Sequence, residues 1–120
     1  MLLGLYLPKL LPDMTVAVVE AIYPAVGDTL PAGDKILDLS VDLGSGFRQD
    51  CPPISHYRLV AREAVRLRSI HISPGEACAP GVLMAVFGDD ADPDEIARPL
   101  RFATAGIVSH PGMWSARVRA

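Results

Sequence analysis

VGDTLPAGDKILDL (residues 26–39) is matched in pattern by PGEACAPGVLMAVF (residues 74–87). In each copy two glycines stand six residues apart, and an acidic residue follows the first of them. The second glycine leads into an apolar run typical of a strand. Glycines in such turns usually provide backbone angles that other residues adopt only with strain. Two such units in one short chain predict an all-β, pseudo-two-fold sandwich or flattened barrel.

The rest of the chain is divided by 11 prolines and 10 glycines, which favours short strands joined by turns. One segment, YRLVAREAVRLRSI (57–70), lacks both residues, and local propensity alone would make it a helix. The repeat favours strands there instead. The predicted strands are 2–7, 16–23, 35–43, 57–60, 65–72 and 82–87.

Length, composition and charge restrict the class of protein. A chain of 120 residues is one domain, and its net charge of −3 argues against general binding to nucleic acid or to an anionic membrane. Arginines 58, 62, 66 and 68 are expected to form the solvated face of one element. No run approaches the ~20 apolar residues of a membrane-spanning helix, and residues 1–7 lack the features of a signal peptide. Cys51 and Cys78 form no C-x-x-C motif, which predicts free thiols in the cytoplasm.

Several short motifs together resemble a known family. PKLLPDMT (8–15) is followed by Gly27-Asp28, by Ala32-Gly33-Asp34 and by LDLSVD (37–42). This order resembles the lipoyl domain of 2-oxoacid dehydrogenase acyltransferases, and it is similar to the biotinyl carrier domains of the same fold. The resemblance implies a barrel-sandwich hybrid of two small antiparallel sheets over residues 1–88, with residues 89–120 as a C-terminal extension. It also implies a hairpin tip with an Asp-Lys pair whose lysine carries lipoyl or biotin.

The hairpin tip is where this chain departs from that family. The aligned pair is Asp42-Leu43, and a leucine has no nitrogen that could form the amide bond to a cofactor. The other candidates are Lys9 and Lys35, the only lysines of the chain. Lys35 follows Asp34, but it stands eight positions before Leu43, and it could serve only if it lay in a turn. No bound cofactor is therefore expected, and Lys35 is kept as the alternative attachment point.

The segment after the predicted tip, residues 44–57, is about ten residues longer than in the family, and long mixed loops commonly carry binding function. We interpret it as a binding loop. The alternative is an insertion that folds over the end of the barrel. The candidate binding residues are Phe47, Arg48, Asp50, His56 and Tyr57.

Residues that could support chemistry do not form a recognisable motif. Cys51, His56, His71 and Cys78 have spacings that match no zinc site. A Cys51–His56 nucleophilic pair has no visible third member. Neither a metal nor a catalytic residue is expected.

The C-terminal extension predicts a short helix and one more strand. Asp92 as N-cap, Pro93 at the first helical position and Glu95 reaching back are typical of a helix start, and Pro99 would end that helix. A strand is predicted within residues 100–110. Its inward positions would be Phe102, Thr104 and Ile107 or Val108. The tail with Trp114 either packs back on the domain or clasps a second copy, so a homodimer through residues 100–120 is possible.

Two functional hypotheses follow. The first is a non-catalytic, unmodified lipoyl-like domain that binds or scaffolds a protein partner. The alternative is a carrier component of a dehydrogenase or carboxylase complex with a displaced attachment lysine. A small enzyme or metal protein built on loop 44–57 ranks third, because no coherent site supports it.

Overall fold

A computed structural model describes residues 1–42, 54–88 and 95–107 of the chain. These ranges contain ten strands and no helix, so the prediction of an all-β protein is confirmed. The strands are β1 (Leu2–Tyr6), β2 (Ala17–Ile22), β3 (Thr29–Leu30), β4 (Lys35–Asp42), β5 (Ile54–Ala61), β6 (Val65–Ile70), β7 (Ala77–Cys78), β8 (Leu83–Phe87), β9 (Ile96–Pro99) and β10 (Phe102–Ile107).

The strands form two five-stranded sheets. The first has the order β3-β6-β8-β1-β9, and the second has the order β10-β5-β4-β2-β7. Every pairing is antiparallel except that of β9 with β1. Residues 57–70, ambiguous from propensity, lie in β5, a turn and β6, because each strand pairs with distant parts of the chain.

The hydrophobic core is built from alternate residues of the central strands. In β4, Leu37, Leu39 and Val41 are fully buried, whereas Asp38 between them is partly exposed. Ile36 is also buried, because an irregularity in the β4–β5 register between Lys35 and Leu37 breaks the alternation. The predicted strand is thus confirmed as β4, although Ser40, which the alternation places outwards, is also buried.

The strand orders of the two sheets correspond to each other through the sequence repeat. Strands β1–β4 correspond to β5–β8, since exchanging the two sets converts the order β3-β6-β8-β1 into β7-β2-β4-β5. The backbone N–H of Gly27 donates to the carbonyl of Leu67 at 2.9 Å, and that of Gly75 donates to Val19 at 2.6 Å. Gly75 lies 48 positions after Gly27, and Leu67 lies 48 positions after Val19. The hydrogen bonds therefore follow the repeat seen in the sequence.

The paired glycines of the repeat have the backbone conformation that the sequence predicts. Gly33 has φ +100° and Gly81 has φ +92°, and an added Cβ would meet open space at both positions. Replacing either by alanine is thus expected to cost backbone strain alone, about 1 to 2 kcal/mol. Urea unfolding of Gly33→Ala and Gly81→Ala should give similar losses. Clearly unequal losses would contradict the equivalence of the two turns.

The predicted helix after Asp92 is wrong for the described part of its range. Ile96–Pro99 forms β9, which runs parallel to β1 with Leu3 opposite Arg98. The backbone N–H of Leu100 then donates to the carbonyl of Gly4 at 2.8 Å. Pairing with β1 outweighs a local capping signal worth only ~1 kcal/mol. Asp92 and Pro93 lie outside the described residues.

The arginines of residues 58–68 do not share one face, contrary to the prediction. Arg58 is in β5 of the second sheet, whereas Arg66 and Arg68 are in β6 of the first, and Arg62 lies in the connection. Arginines spaced four residues apart would share one face of a helix, but this segment forms two strands instead.

The predicted C-terminal strand is confirmed as β10. Phe102 packs against the core as predicted, but Thr104 is exposed rather than inward. β10 is the outer strand of its sheet, so among the described residues no strand lies on its other side. Residues 108–120, with Val108 and Trp114, lie outside the described part.

Glu63 stabilises the connection between β9 and β10, where the chain passes from the first sheet to the second. Its carboxylate accepts hydrogen bonds from both terminal nitrogens of Arg98, at 2.9 and 2.7 Å, and from the backbone N–H of Arg101 at 3.0 Å. These contacts tie the connection between β5 and β6 to the C-terminal strands. The hydrogen bonds from Arg98 are the main reason that the pKa of Glu63 falls to about 2.

Glu63→Gln is expected to lower the midpoint of thermal unfolding near pH 7 by about 2 to 4 °C. Since the folded pKa is lowered, the carboxylate stabilises the protein above its ordinary pKa. That stability is lost as the pH falls from about 4.5 towards 2. Unfolding scans of both proteins should therefore converge over this interval. Glu95→Gln, which removes an exposed carboxylate, is the control and should leave the midpoint unchanged.

Candidate functional site

The outer face of the second sheet carries a cluster of polar side chains that we name the polar patch. Its residues are Glu20, Tyr23, Lys35, Asp38, Ser40 and Arg58. The patch exists because the apolar residues of β4 and β5 face the core at alternate positions, so the residues between them face outwards. Asp38 lies directly opposite Arg58 in the β4–β5 register.

Asp38 is the centre of the patch. Arg58 donates from Nε to Oδ1 of Asp38 at 2.8 Å and from Nη2 to Oδ2 at 3.1 Å, a bidentate pair. The hydroxyl of Tyr23 donates to Oδ2 of Asp38 at 2.5 Å, and Arg58 Nη2 lies 3.1 Å from the same hydroxyl. Such a fork between guanidinium and carboxylate constrains direction as well as distance. The three side chains are thereby held in one arrangement.

Lys35 extends the patch towards the Gly33 turn. Its Nζ lies 4.6 Å from the centre of the Tyr23 ring, and the guanidinium carbon of Arg58 lies 5.5 Å from it. Both distances suit cation–π attraction. A shallow depression of about 280 Å³ beside Lys35 is also lined by Asp28 and Asp34. This end of the patch thus presents charges of both signs.

The hydrogen bonds around Asp38 fix the protonation states of Asp38, Tyr23 and Arg58. Burial would raise the pKa of Asp38, but hydrogen bonds from Arg58 and Tyr23 outweigh it, and the pKa is lowered. The hydrogen bond to Asp38 raises the pKa of Tyr23, and it is also the main reason that the pKa of Arg58 is raised. Near pH 7 the carboxylate is charged and the phenol keeps its proton. The patch therefore offers fixed charges and hydrogen bonds rather than a group poised for proton transfer.

A second contact continues the patch towards the far end of β4. The hydroxyl of Ser40 donates to Oε2 of Glu20 at 2.6 Å, which links β4 to β2. His56 lies opposite Ser40 in the register, two residues before Arg58 and hence on the same face. Of the candidate binding residues, His56 is thus beside the patch.

The other candidate binding residues have different outcomes. Tyr57 lies in strand β5 rather than in a loop, as His56 does, and it packs against the core, so its role in binding stays a prediction. The strand β5 begins at Ile54, and Tyr57 takes an inward position opposite Leu39. Phe47, Arg48, Asp50 and Leu43 lie outside the described residues.

The two lysines are both exposed, but they occupy different settings. Lys9 lies in the connection between β1 and β2. Lys35 is the first residue of β4, opposite Val60 of β5. The hairpin end of β4 is Asp42, at the other end of the strand.

No metal or catalytic arrangement stands out in residues 1–42, 54–88 and 95–107. No group of three metal-binding side chains occurs there. Cys78 is a buried free thiol, and burial raises its pKa, which disfavours the reactive thiolate. Ser69 Oγ lies 2.9 Å from Nε2 of His71. Within the same ranges, no carboxylate accepts a hydrogen bond from that imidazole as in a nucleophilic triad.

Sequence reasoning missed Tyr23 and Arg58 as partners of Asp38. Asp38 and Arg58 are 20 positions apart, and only the β4–β5 register places them opposite each other. Aligning the alternation of the two strands about their connection could have found this pair. Tyr23 offers no such signal, because it lies just past the end of β2.

The described ranges contain no helix long and apolar enough to cross a membrane. No protein-family model, no curated protein and no solved structure matches this chain.

Proposed function

We propose that the chain is an unmodified lipoyl-like domain, with the barrel-sandwich hybrid fold, that acts as a non-catalytic protein-binding module. The observation that carries the proposal joins sequence and structure. A repeat that relates β1–β4 to β5–β8 ends its first half at Asp42, and the next residue is leucine where a carrier needs a lysine.

The proposed fold is supported by the correspondence between the two strand orders. A barrel-sandwich hybrid has two small antiparallel sheets exchanged by a pseudo-two-fold axis, and the first eight strands divide into two corresponding sets of four. In this proposal the connection between β4 and β5 corresponds to the modified hairpin. In this proposal β9 and β10 are additions, one at an edge of each sheet.

The proposed binding face is the polar patch. It lies mainly on β4 and β5, the two strands of that hairpin. Its side chains already hold one another in place, so a partner would lose little free energy in ordering them. Because the patch carries Lys35 and Arg58 beside carboxylates, the proposed partner is a protein surface with complementary charged and polar groups.

The position of Lys35 supports a non-carrier function over the alternative carrier. Eight residues of β4 span roughly 25 Å, which separates Lys35 from the hairpin end at Asp42. The contact between Lys35 and the Tyr23 ring also holds the amine against the sheet. A swinging arm needs an amine that projects freely from a tip.

The first test is the intact mass of the protein after co-expression with lipoate and biotin ligases, with both cofactors supplied. We expect an unshifted mass. A shift equal to one lipoyl or biotinyl group, mapped to Lys35 or Lys9, would overturn the proposal and make this chain a carrier.

The second test compares Lys35→Glu with Lys9→Glu, since both change an exposed lysine in the same way. Proteins that cross-link to the wild-type chain in cells are identified, and each candidate is then titrated against purified variants. Lys35→Glu is expected to weaken binding, whereas Lys9→Glu should leave it unchanged. Equal effects of the two substitutions would contradict the polar patch as the binding face.

A further inference from the structure

The strand β10 has one free edge in the described part of the chain. It pairs with β5 on one side and is the outermost strand of the second sheet. The N–H of Arg62 donates to the carbonyl of Arg101 at 3.0 Å, whereas the N–H of Arg101 donates to Glu63, so these opposite residues form a hydrogen-bonded pair with one of its two usual bonds. Such pairs alternate along antiparallel strands. The backbone groups of Phe102, Thr104 and Gly106 therefore point away from β5, towards the free edge.

This edge lacks the features that usually prevent pairing with another chain. Phe102–Ile107 contains no charged residue and no proline, and its pairing with β5 shows no irregularity. Among the other outer strands of the two sheets, β3 and β7 have only two residues each, and β9 ends at Pro99. Native proteins normally block long edges with charge, proline or bulges. Among the strands of the described residues, an unblocked edge is thus specific to β10.

We propose that β10 pairs with β10 of a second copy, antiparallel and about a two-fold axis through Thr104, so that two five-stranded sheets become one continuous sheet. This register places Thr104 opposite Thr104 of the second copy, and Phe102 opposite Gly106. The three outward residues of each copy then satisfy one another's N–H and carbonyl groups.

The side chains suit this register. Two threonines directly opposite each other form a favourable cross-strand pair. A Cβ added to Gly106 would meet no atom within 4 Å, so its position has room for a neighbouring ring. An aromatic residue across from a strand glycine covers the exposed backbone, a known stabilising arrangement. A one-residue slip would lose both pairs at once.

The expected dimer is weak. Two six-residue strands bury less area than the ~1,200 Å² at the lower end of stable interfaces. We therefore expect a dissociation constant of about 1 to 100 μM. The contact does not involve the polar patch, so it can form whether or not the proposed function is correct.

The test is sedimentation of the full chain across roughly 1 to 500 μM, a range set by that expected affinity. The wild type should change from monomer to dimer. Thr104→Lys places like charges directly opposite each other across the axis and should raise the dissociation constant about tenfold or more. Thr104→Val keeps the β-branched shape and the N–H, and should dimerise like the wild type.

Thr104→Pro gives an independent check. The N–H that it removes faces the free edge and donates to no group of β5, so the sheet of one copy keeps its ladder. This variant should fold, as judged by circular dichroism, and stay monomeric. A wild type that is monomeric throughout, or a dimer that survives both Thr104→Lys and Thr104→Pro, would overturn the proposal. The second outcome would place the contact in another part of the chain.

Discussion

Under the proposed function, Leu43→Lys is expected to give a chain that accepts a single lipoyl or biotinyl group, whereas the wild type should accept none. The substitution restores the Asp-Lys pair directly after β4, the only change that the attachment chemistry requires at that position. A lysine amine is nucleophilic when deprotonated and can take an acyl group from an activated cofactor, which leucine cannot do. The expected change is all or none, and intact mass spectrometry reads it directly.

The comparison is best made in a chain that carries Lys9→Arg and Lys35→Arg, so that residue 43 holds the only lysine. Leu43→Arg in the same background is the matched control, because it adds charge and length without an acylatable amine. We expect modification of the lysine variant and none of the arginine variant. If a correctly folded Leu43→Lys protein stays unmodified by both ligases, position 43 is not equivalent to the attachment site.

Phe87→Ala is expected to lower the free energy of unfolding by about 3 to 5 kcal/mol, the usual cost of removing a buried aromatic ring. Phe87 is fully buried on β8, opposite Leu3 of β1 on one side and Leu67 of β6 on the other. A cavity there would disturb β8, the central strand of the first sheet, which pairs with β6 on one side and with β1 on the other. The midpoint of thermal unfolding should fall by about 10 to 20 °C.

Val82→Ala is the control for Phe87→Ala. Val82 lies one residue before β8, and 39% of its surface is exposed. Its truncation should change the unfolding free energy by no more than about 0.5 kcal/mol. Chemical unfolding of both variants checks the pair. A loss below about 1 kcal/mol for Phe87→Ala would contradict the position of this ring in the core.

The sequence was most informative where local pattern and long-range repeat agree. The glycines at 27, 33, 75 and 81 predicted turns, and all four have positive φ. The alternation after Lys35 predicted β4 to within one residue of its end. Between residues 57 and 70 the repeat outweighed local helix propensity, and two strands are present. A pattern that occurs twice in one chain is thus better evidence for secondary structure than the helix propensity of a single segment.

The features that sequence reasoning missed all depend on distant pairing. Ile96–Pro99 became a strand because β1 offers it a ladder, which no residue near Asp92 reveals. Asp38 and Arg58 form an ion pair only in the observed β4–β5 register. Alternation predicted that Thr104 points inward, but alternation does not show that its strand lies at the edge of a sheet. Register and sheet edges are set by the whole chain.

The interlocked halves have a consequence for how the protein folds. Taken alone, β1–β4 would keep only the β2–β4 pairing, and β5–β8 would keep only β6–β8. An isolated two-stranded pairing is at best marginally stable in water. Neither half is therefore expected to form a stable folding intermediate alone. Loop closure must bring remote segments together before the strands of either half can pair fully. We therefore expect slow, all-or-none folding, in which the first stable species already contains both copies of the repeat.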